Sequence, residues 1–184
     1  THVCRGNFHS TYASSGAYDS VADILFGEEN VDAYYLEFDD ERSGGFAPLA
    51  KVSGDKKVVL GLITTKSPAL EDKAAVIERI HEASKYVPLD RLYLSPQCGF
   101  ASCDIGNKLT EEEQWAKLKL VKEVAEEVWQ DANTSFAGKS TRYSIFFDDK
   151  IHLLVGETNK GWYNIHIAID NSKAKCKDLE TIQY

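Results

Sequence analysis

The sequence is short of the features that mark several protein classes. Its four cysteines, Cys4, Cys98, Cys103 and Cys176, are too few and too scattered for a secreted disulfide scaffold. No apolar run approaches the ~20 residues that cross a bilayer, and no signal peptide opens the chain. Lys and Arg number 21 against 29 Asp and Glu, a formal charge of −8, and no stripe gathers the basic residues. Nucleic acid and membranes are therefore not expected as partners. Free thiols fit a reducing, cytoplasmic setting, in which thiolates stay available to a metal. The chain opens without Met and directly on a strand-like stretch, so it is expected to be cut from something longer.

Within 184 residues of which 43% are hydrophobic there is room for one sizeable core, or one core and a small appendage. Strand-like runs cover Thr1 to Cys4, Val31 to Glu37, Val58 to Thr64 and Leu92 to Ser95. The third is nearly all apolar, like strands buried on both faces of a parallel sheet. Helical spacing links Tyr18, Val21, Ala22 and Leu25, ending near Gly27. A second helix is expected from Ser67-Pro68, with Leu70, Ala74, Ile77, Ile80 and Ser84 inward. A third starts at Thr110-Glu111-Glu112-Glu113, a capping box followed by Leu118, Val121, Ala125 and Val128, with Trp115 at its flank. This rhythm predicts parallel β/α units, four of which make half of an eight-stranded (β/α)8 barrel of the TIM type.

From Gln130 the pattern changes. Residues 131–140 are linker-like, and Arg142 to Phe147, Ile151 to Val155 and Trp162 to Ile169 read as three strands of a small antiparallel β meander. The expected organisation is an α/β unit over 1–129 and a β-rich tail over 130–184, which either covers a sheet edge or stands alone.

The chemistry-bearing residues lie at strand ends. Alternation in a strand puts His2 and Cys4 on one face, about 7 Å apart. Glu37 ends the second strand and Cys98 comes after the fourth. One imidazole, one carboxylate and two thiolates form a set that zinc accepts. By spacing alone, a half-buried strand ending on small polar residues is the better account of His-x-Cys, a pattern too common to mark a metal.

Three strings carry more information: Thr1-His2-Val3-Cys4-Arg5-Gly6-Asn7-Phe8, Leu36-Glu37-Phe38-Asp39-Asp40-Glu41-Arg42-Ser43-Gly44 and Leu94-Ser95-Pro96-Gln97-Cys98-Gly99-Phe100. In this order they resemble the C-terminal part of the cobalamin-independent methionine synthase family, over roughly residues 1 to 129. The resemblance implies a catalytic zinc held by His2, Cys4, Glu37 and Cys98, and methyl transfer from methyltetrahydrofolate, as its polyglutamate, to the thiol of homocysteine. Glu37 is then the exchangeable ligand. Larger synthases carry a His in the segment matching Thr64 to Pro68, and Lys66 stands at or beside that place; Lys66 is the candidate acid if its pKa is lowered, or else a solvated lysine that binds the polyglutamate or nothing. Asp39, Arg42 and Ser43, with Asp40 and Glu41, are candidates for the substrate side of the mouth. The family's residues for the amino and carboxylate groups of the amino acid lie upstream of Thr1, so self-association or a missing barrel half is expected. Two other readings stay open: a zinc alkyltransferase for another thiol, such as coenzyme M or methanethiol, and a non-catalytic zinc-clipped interaction module.

The remaining candidates are weaker. His9 is weighed as an outer hydrogen-bonding partner of the site against a solvated loop residue. Cys103 is read as a small buried hydrophobe, and His81 as packing. His152, His166 and Cys176 are too dispersed to suggest a second metal site.

Overall fold

The computed structural model describes residues 1–101 and 106–129, and the backbone of two further strands at 151–157 and 163–169. Four strands, β1 (His2–Val3), β2 (Ala33–Glu37), β3 (Lys57–Ile63) and β4 (Leu92–Pro96), form one parallel sheet in the order of the sequence. Parallel neighbours require crossovers long enough to return the chain to the same end of the sheet. The crossovers carry very different structure.

Between β1 and β2 the expected helix shrinks to a six-residue segment, Asp23–Glu28, closed by a wide bond from Glu29 N–H to the Ile24 carbonyl at 3.2 Å. Tyr18 and Ala22 are buried as the spacing predicts, but Val21 is exposed and Phe26, outside that pattern, is fully buried. The reason is Tyr18, whose hydroxyl is engaged by Arg5 and by the backbone of Glu37. That places it in a turn rather than in a helix stripe. Only two short 3₁₀ turns, Glu41–Ser43 and Ala47–Lys51, connect β2 to β3.

Helix α1 (Lys73–Ala83) comes after β3 and begins later than Ser67-Pro68 would have it. Asp72 is the N-cap, its carboxylate accepting from Ala75 N–H at 2.8 Å. Asp and Ser cap about equally well, and here the Ser67 hydroxyl is engaged in a local turn, accepting from Ala69 N–H at 3.3 Å. The buried face accordingly shifts to Val76, Ile80 and Ala83, while Leu70 and Ala74 face solvent. His81, expected to pack, is exposed as well.

Helix α2 (Glu111–Val128) starts as the capping box predicts, with Thr110 and Glu113 satisfying each other's backbone donors. Its buried stripe includes Leu118, Leu120, Val121, Val124 and Ala125, and Trp115 is half exposed. Strand β3 is buried from Val58 to Ile63, as a parallel strand covered on both faces must be. Leu36, Val58, Leu60, Leu92 and Leu94 meet Val76, Ile80, Val121 and Val124 in one core. Each such side chain contributes about 1.5–3 kcal/mol by leaving water.

Alternation turns Tyr35 and Glu37 of β2 away from that core face, and register aligns Glu37 with Gly61 and Gly61 with Ser95. Gly61 is required by contact: a Cβ there would lie 2.6 Å from both Gln97 Cα and the Leu36 carbonyl oxygen. This near-collision of backbones lets the ends of β2, β3 and β4 converge.

In the tail, β5 (Ile151–Glu157) and β6 (Tyr163–Ile169) pair antiparallel, Leu153 opposite Ile167. The third expected strand, Arg142 to Phe147, lies outside the described residues, as do Cys103 and Cys176. No helix among the described residues is long and apolar enough to cross a membrane.

Candidate metal centre

The C-terminal ends of three of the four parallel strands, β1, β2 and β4, deliver the donors. His2 lies on β1, Cys4 just beyond it, Glu37 is the last residue of β2, and Cys98 lies two residues past β4. One donor atom from each falls within 4.8 Å of every other. A tetrahedron with bonds of about 2.0–2.3 Å has edges of about 3.3–3.8 Å, so the set is close to closing on one ion. The two sulfurs are 3.9 Å apart, the span of such an edge and nearly twice the ~2.05 Å of a disulfide.

Each donor is oriented by a neighbour. His2 Nδ1 is 3.0 Å from the Tyr35 carbonyl, which can only accept, so Nδ1 carries the hydrogen and Nε2 keeps its lone pair. The Gly6 N–H donates to Cys4 Sγ at 3.2 Å. Glu37 is fully buried; Oε2 accepts from Arg5 N–H at 3.2 Å, while Oε1 is buried with no hydrogen-bond partner. A buried carboxylate oxygen without a donor is the kind of atom a cation satisfies.

The protonation preferences agree. Burial pushes the Cys98 thiol up to about 12, with Cys4 beside it adding to the rise. Burial also raises Glu37, against the pull of Lys66, and lowers His2. All three shifts disfavour charge that a divalent ion would supply or compensate. The residues present therefore fit zinc.

Around the donors sits a charged shell. Arg5 stacks on Tyr18 at 4.3 Å, bonds its hydroxyl at 2.9 Å and donates to Gly16 O. Asp39 has a fully buried carboxylate held by Arg42 at 3.1 Å, with Lys66 Nζ at 3.8 Å. Arg42 also grips Asp40 and lies over the Tyr12 ring at 4.3 Å. Lys66 Nζ, Arg42 Nη1 and Ser43 Oγ are buried without hydrogen-bond partners. Lys66, Asp39, Arg42 and Ser43 are thus all buried side chains close to Glu37 along the chain or through charge, whereas Asp40 and Glu41 are exposed. His9 lies in a tight turn with positive φ at both His9 and Ser10, and no bond to a donor residue joins it to the cluster among those described. His152 and His166 fall on β5 and β6.

Residues that composition and spacing passed over bind the loops together. Asn7, Thr65 and Gln97 are buried polar side chains in three different loops, hydrogen-bonded to one another. Their only sequence signal is position, just after a strand end.

A parallel α/β sheet whose strand ends gather an imidazole, two thiols and a carboxyl group defines an α/β protein with a candidate metal centre at the C-terminal edge of its strands. The family model described as "Cobalamin-independent synthase, Catalytic domain" matches residues 1–127, and the chain belongs to that family. Over 130 residues it is 56% identical to YxjG and 55% identical to YxjH of Bacillus subtilis, in each case 70% of this chain and 34% of the relative. A solved structure of the putative vitamin-B12-independent methionine synthase of Listeria monocytogenes matches at 46% identity and TM-score 0.52, over 70% of this chain and 34% of that one. The B12-independent methionine synthase of Shewanella, solved in complex with selenomethionine, shares the fold at 21% identity and TM-score 0.55, over 73% of this chain and 39% of that one. The chain spans about a third of the length of the curated relatives it matches.

Proposed function

We propose that this chain supplies the metal centre of a zinc-dependent thiol methyltransferase that moves a methyl group from methyltetrahydrofolate to homocysteine, giving methionine. The observation that carries the reading is the meeting of His2, Cys4, Glu37 and Cys98 donors within 4.8 Å. Those four residues would hold zinc, whose charge ionises a thiol of ordinary pKa about 8.5 while leaving the sulfur nucleophilic.

This chain's own residues have distinct tasks in that reaction. Cys4 and Cys98 are firm ligands, and Glu37 is the one to give way to an incoming thiol, because a carboxylate oxygen holds zinc less firmly than thiolate. Lys66, whose buried ammonium lies 3.8 Å from Asp39, is our candidate for the group that hands a proton to the departing folate nitrogen. Arg42, Ser43 and Asp39 line the same approach, and the unpartnered donors Arg42 Nη1 and Ser43 Oγ are available to substrate oxygen atoms.

The architecture proposed with this chemistry is a half barrel over 1–129, completed by the remaining strands of a longer protein or by a second copy, and a β meander over 130–184 that either covers an open edge of the half barrel or stands alone. The setting is the cytoplasm, where thiols stay reduced. Because Lys66 stands at or beside the place where larger synthases carry His, a sister activity on another thiol such as coenzyme M or methanethiol is the second reading. A clip without catalysis is the third, since four protein ligands close a structural site equally well.

Metal analysis of the purified chain, followed by zinc X-ray absorption with and without homocysteine, tests the proposal. About one zinc per chain and a new Zn–S contact on adding the thiol are expected. Absence of metal, or an unchanged sulfur shell across a panel of thiols, would remove the catalytic reading. Methyl transfer assayed with that panel separates homocysteine from the other acceptors.

A further inference from the structure

Strand β3 stands between the strands that bring Glu37 and Cys98, yet contributes no donor atom to the cluster. The strand runs directly into Thr64-Thr65, and Thr65 is fully buried. Its backbone N–H and its hydroxyl both lie 2.8 Å from Gln97 Oε1, one residue before Cys98. The same hydroxyl accepts from Asn7 Nδ2 at 3.1 Å, three residues after Cys4, and lies 3.1 Å from the carbonyl of Gly99. Asn7 Nδ2 also donates to that Gly99 carbonyl. The hydroxyl, with one proton to donate, thus joins the loop carrying the first thiol to Gln97, and Asn7 itself reaches Gly99, so the pair ties that loop to both residues flanking the second.

The brace is itself anchored from outside. Thr64 N–H donates to Glu71 Oε1 at 2.8 Å, and Glu71 is held at 3.0 and 3.1 Å by Lys117 of α2. Lys117 has a side chain with no exposure and a third acceptor in the Ala69 carbonyl at 2.7 Å. Removing a buried lysine from water is costly unless every proton has an acceptor. Here all three do, so the Thr64-Thr65 segment is clamped between α2 and the mouth of the sheet.

We propose that Thr65 is a positioning residue: it sets the separation of Cys4 and Cys98, and through it the affinity of the site for a thiophilic metal. The proposal rests on the metal reading above. It adds that the ligand-free strand governs the spacing of the two thiols. The side chain of valine keeps the shape but can neither accept from Asn7 nor donate to Gln97, leaving only the backbone N–H bond to Gln97, whereas serine keeps both side-chain functions.

The test compares Thr65→Val, Thr65→Ser and a core variant, Val76→Ala, chosen on α1 to lower stability without touching the brace. Cobalt(II) affinity is measured by chelator competition, and melting is tracked in chelator. Thr65→Val should bind cobalt about 10-fold more weakly, the low end of the ~10–100-fold cost of losing a group that bonds a ligand directly, because Thr65 acts through the neighbours of Cys98. Thr65→Ser should stay within about threefold of the unaltered chain on the same scale. Val76→Ala should melt lower with its affinity unchanged. Equal affinity in Thr65→Val, or an equal loss in Val76→Ala, would overturn the proposal.

A second arm needs no metal. Phenylarsine oxide bridges two nearby thiols, forming two As–S bonds and releasing water, and peptide mapping locates the bridge. The metal-free unaltered chain and Thr65→Ser should be bridged between Cys4 and Cys98, and Thr65→Val bridged at least several-fold more slowly. Identical rates would refute the brace. Failure of the unaltered chain to bind cobalt or zinc would instead count against the metal reading, and the arsenical result would still decide the role of Thr65.

Discussion

Replacing Gly61 by Ala is the smallest change expected to damage both the fold and the metal centre. The added methyl carbon would sit 2.6 Å from Gln97 Cα and 2.6 Å from the Leu36 carbonyl, where an ordinary contact begins near 3.4 Å. Both obstacles are backbone, so no rotamer change relieves them. The strands must part by the better part of an ångström. Overpacking of a closed interior costs typically 1–3 kcal/mol, and a backbone clash on two sides belongs at the upper end, about 3 kcal/mol. For a chain of this size that corresponds to a fall in Tm of roughly 6–12 °C. Gln97 precedes Cys98 and accepts both Thr65 bonds, so its displacement should weaken metal binding as well. Gly27 supplies the control, since nothing lies within 4 Å of a Cβ there. The assay is thermal melting with and without zinc, together with chelator competition. A Gly61→Ala protein that melts within 1 °C of the unaltered chain, on a scale of roughly 2–4 °C per kcal/mol, and keeps its affinity would refute the packing argument.

Stability of the metal-free protein should fall in alkali: the Cys98 thiol is held near 12 in the fold against an ordinary 9.0, so its contribution is complete below pH 9 and is lost as pH rises toward 12. Melting in chelator between pH 8 and 11 should show that slope, and Cys98→Ser should flatten it. Zinc affinity should run the opposite way, rising with pH because binding must strip protons from both thiols; an affinity independent of pH between 6 and 8 would contradict the assignment of thiol ligands. Glu37→Gln should lower zinc affinity by more than the ~10–100-fold typical of an outer partner, because it removes a ligand charge, with chelator competition as the measurement. Lys117→Met should cost about 3–5 kcal/mol in denaturant unfolding by stranding Glu71, and Lys117→Met with Glu71→Gln should recover most of it; a single variant as stable as the parent would mean that the pair contributes nothing.

Several of these features could be read from residue order. Apolar runs and the capping box located β2, β3, β4 and α2 to within a residue or two, because burial on both faces and reciprocal capping leave a pattern visible in one segment at a time. Where two local signals competed, the structure chose on grounds the segment does not contain. Ser67-Pro68 is a fair helix start, but α1 is capped at Asp72, next to Glu71, which is held by Lys117 46 positions further on. Tyr18 left its helical stripe because its hydroxyl is shared by Arg5 and the Glu37 backbone.

The candidate site divides the same way. Residue types at strand ends offered His2, Cys4, Glu37 and Cys98 as possible donors, but only the resemblance of their surrounding strings to a known family singled them out as one set. Their meeting at one point depends on parallel register, which stacks Glu37 against Gly61 and Gly61 against Ser95, and on the absence of a side chain at Gly61. The brace of Asn7, Thr65 and Gln97 left no mark in the sequence, because a threonine or asparagine after a strand is ordinary until its partner from another loop is known. Donor chemistry is a property of single residues and survives reading in one dimension. Distances between residues 94 positions apart are set only by packing, here by the parallel sheet and the loops that follow its strands.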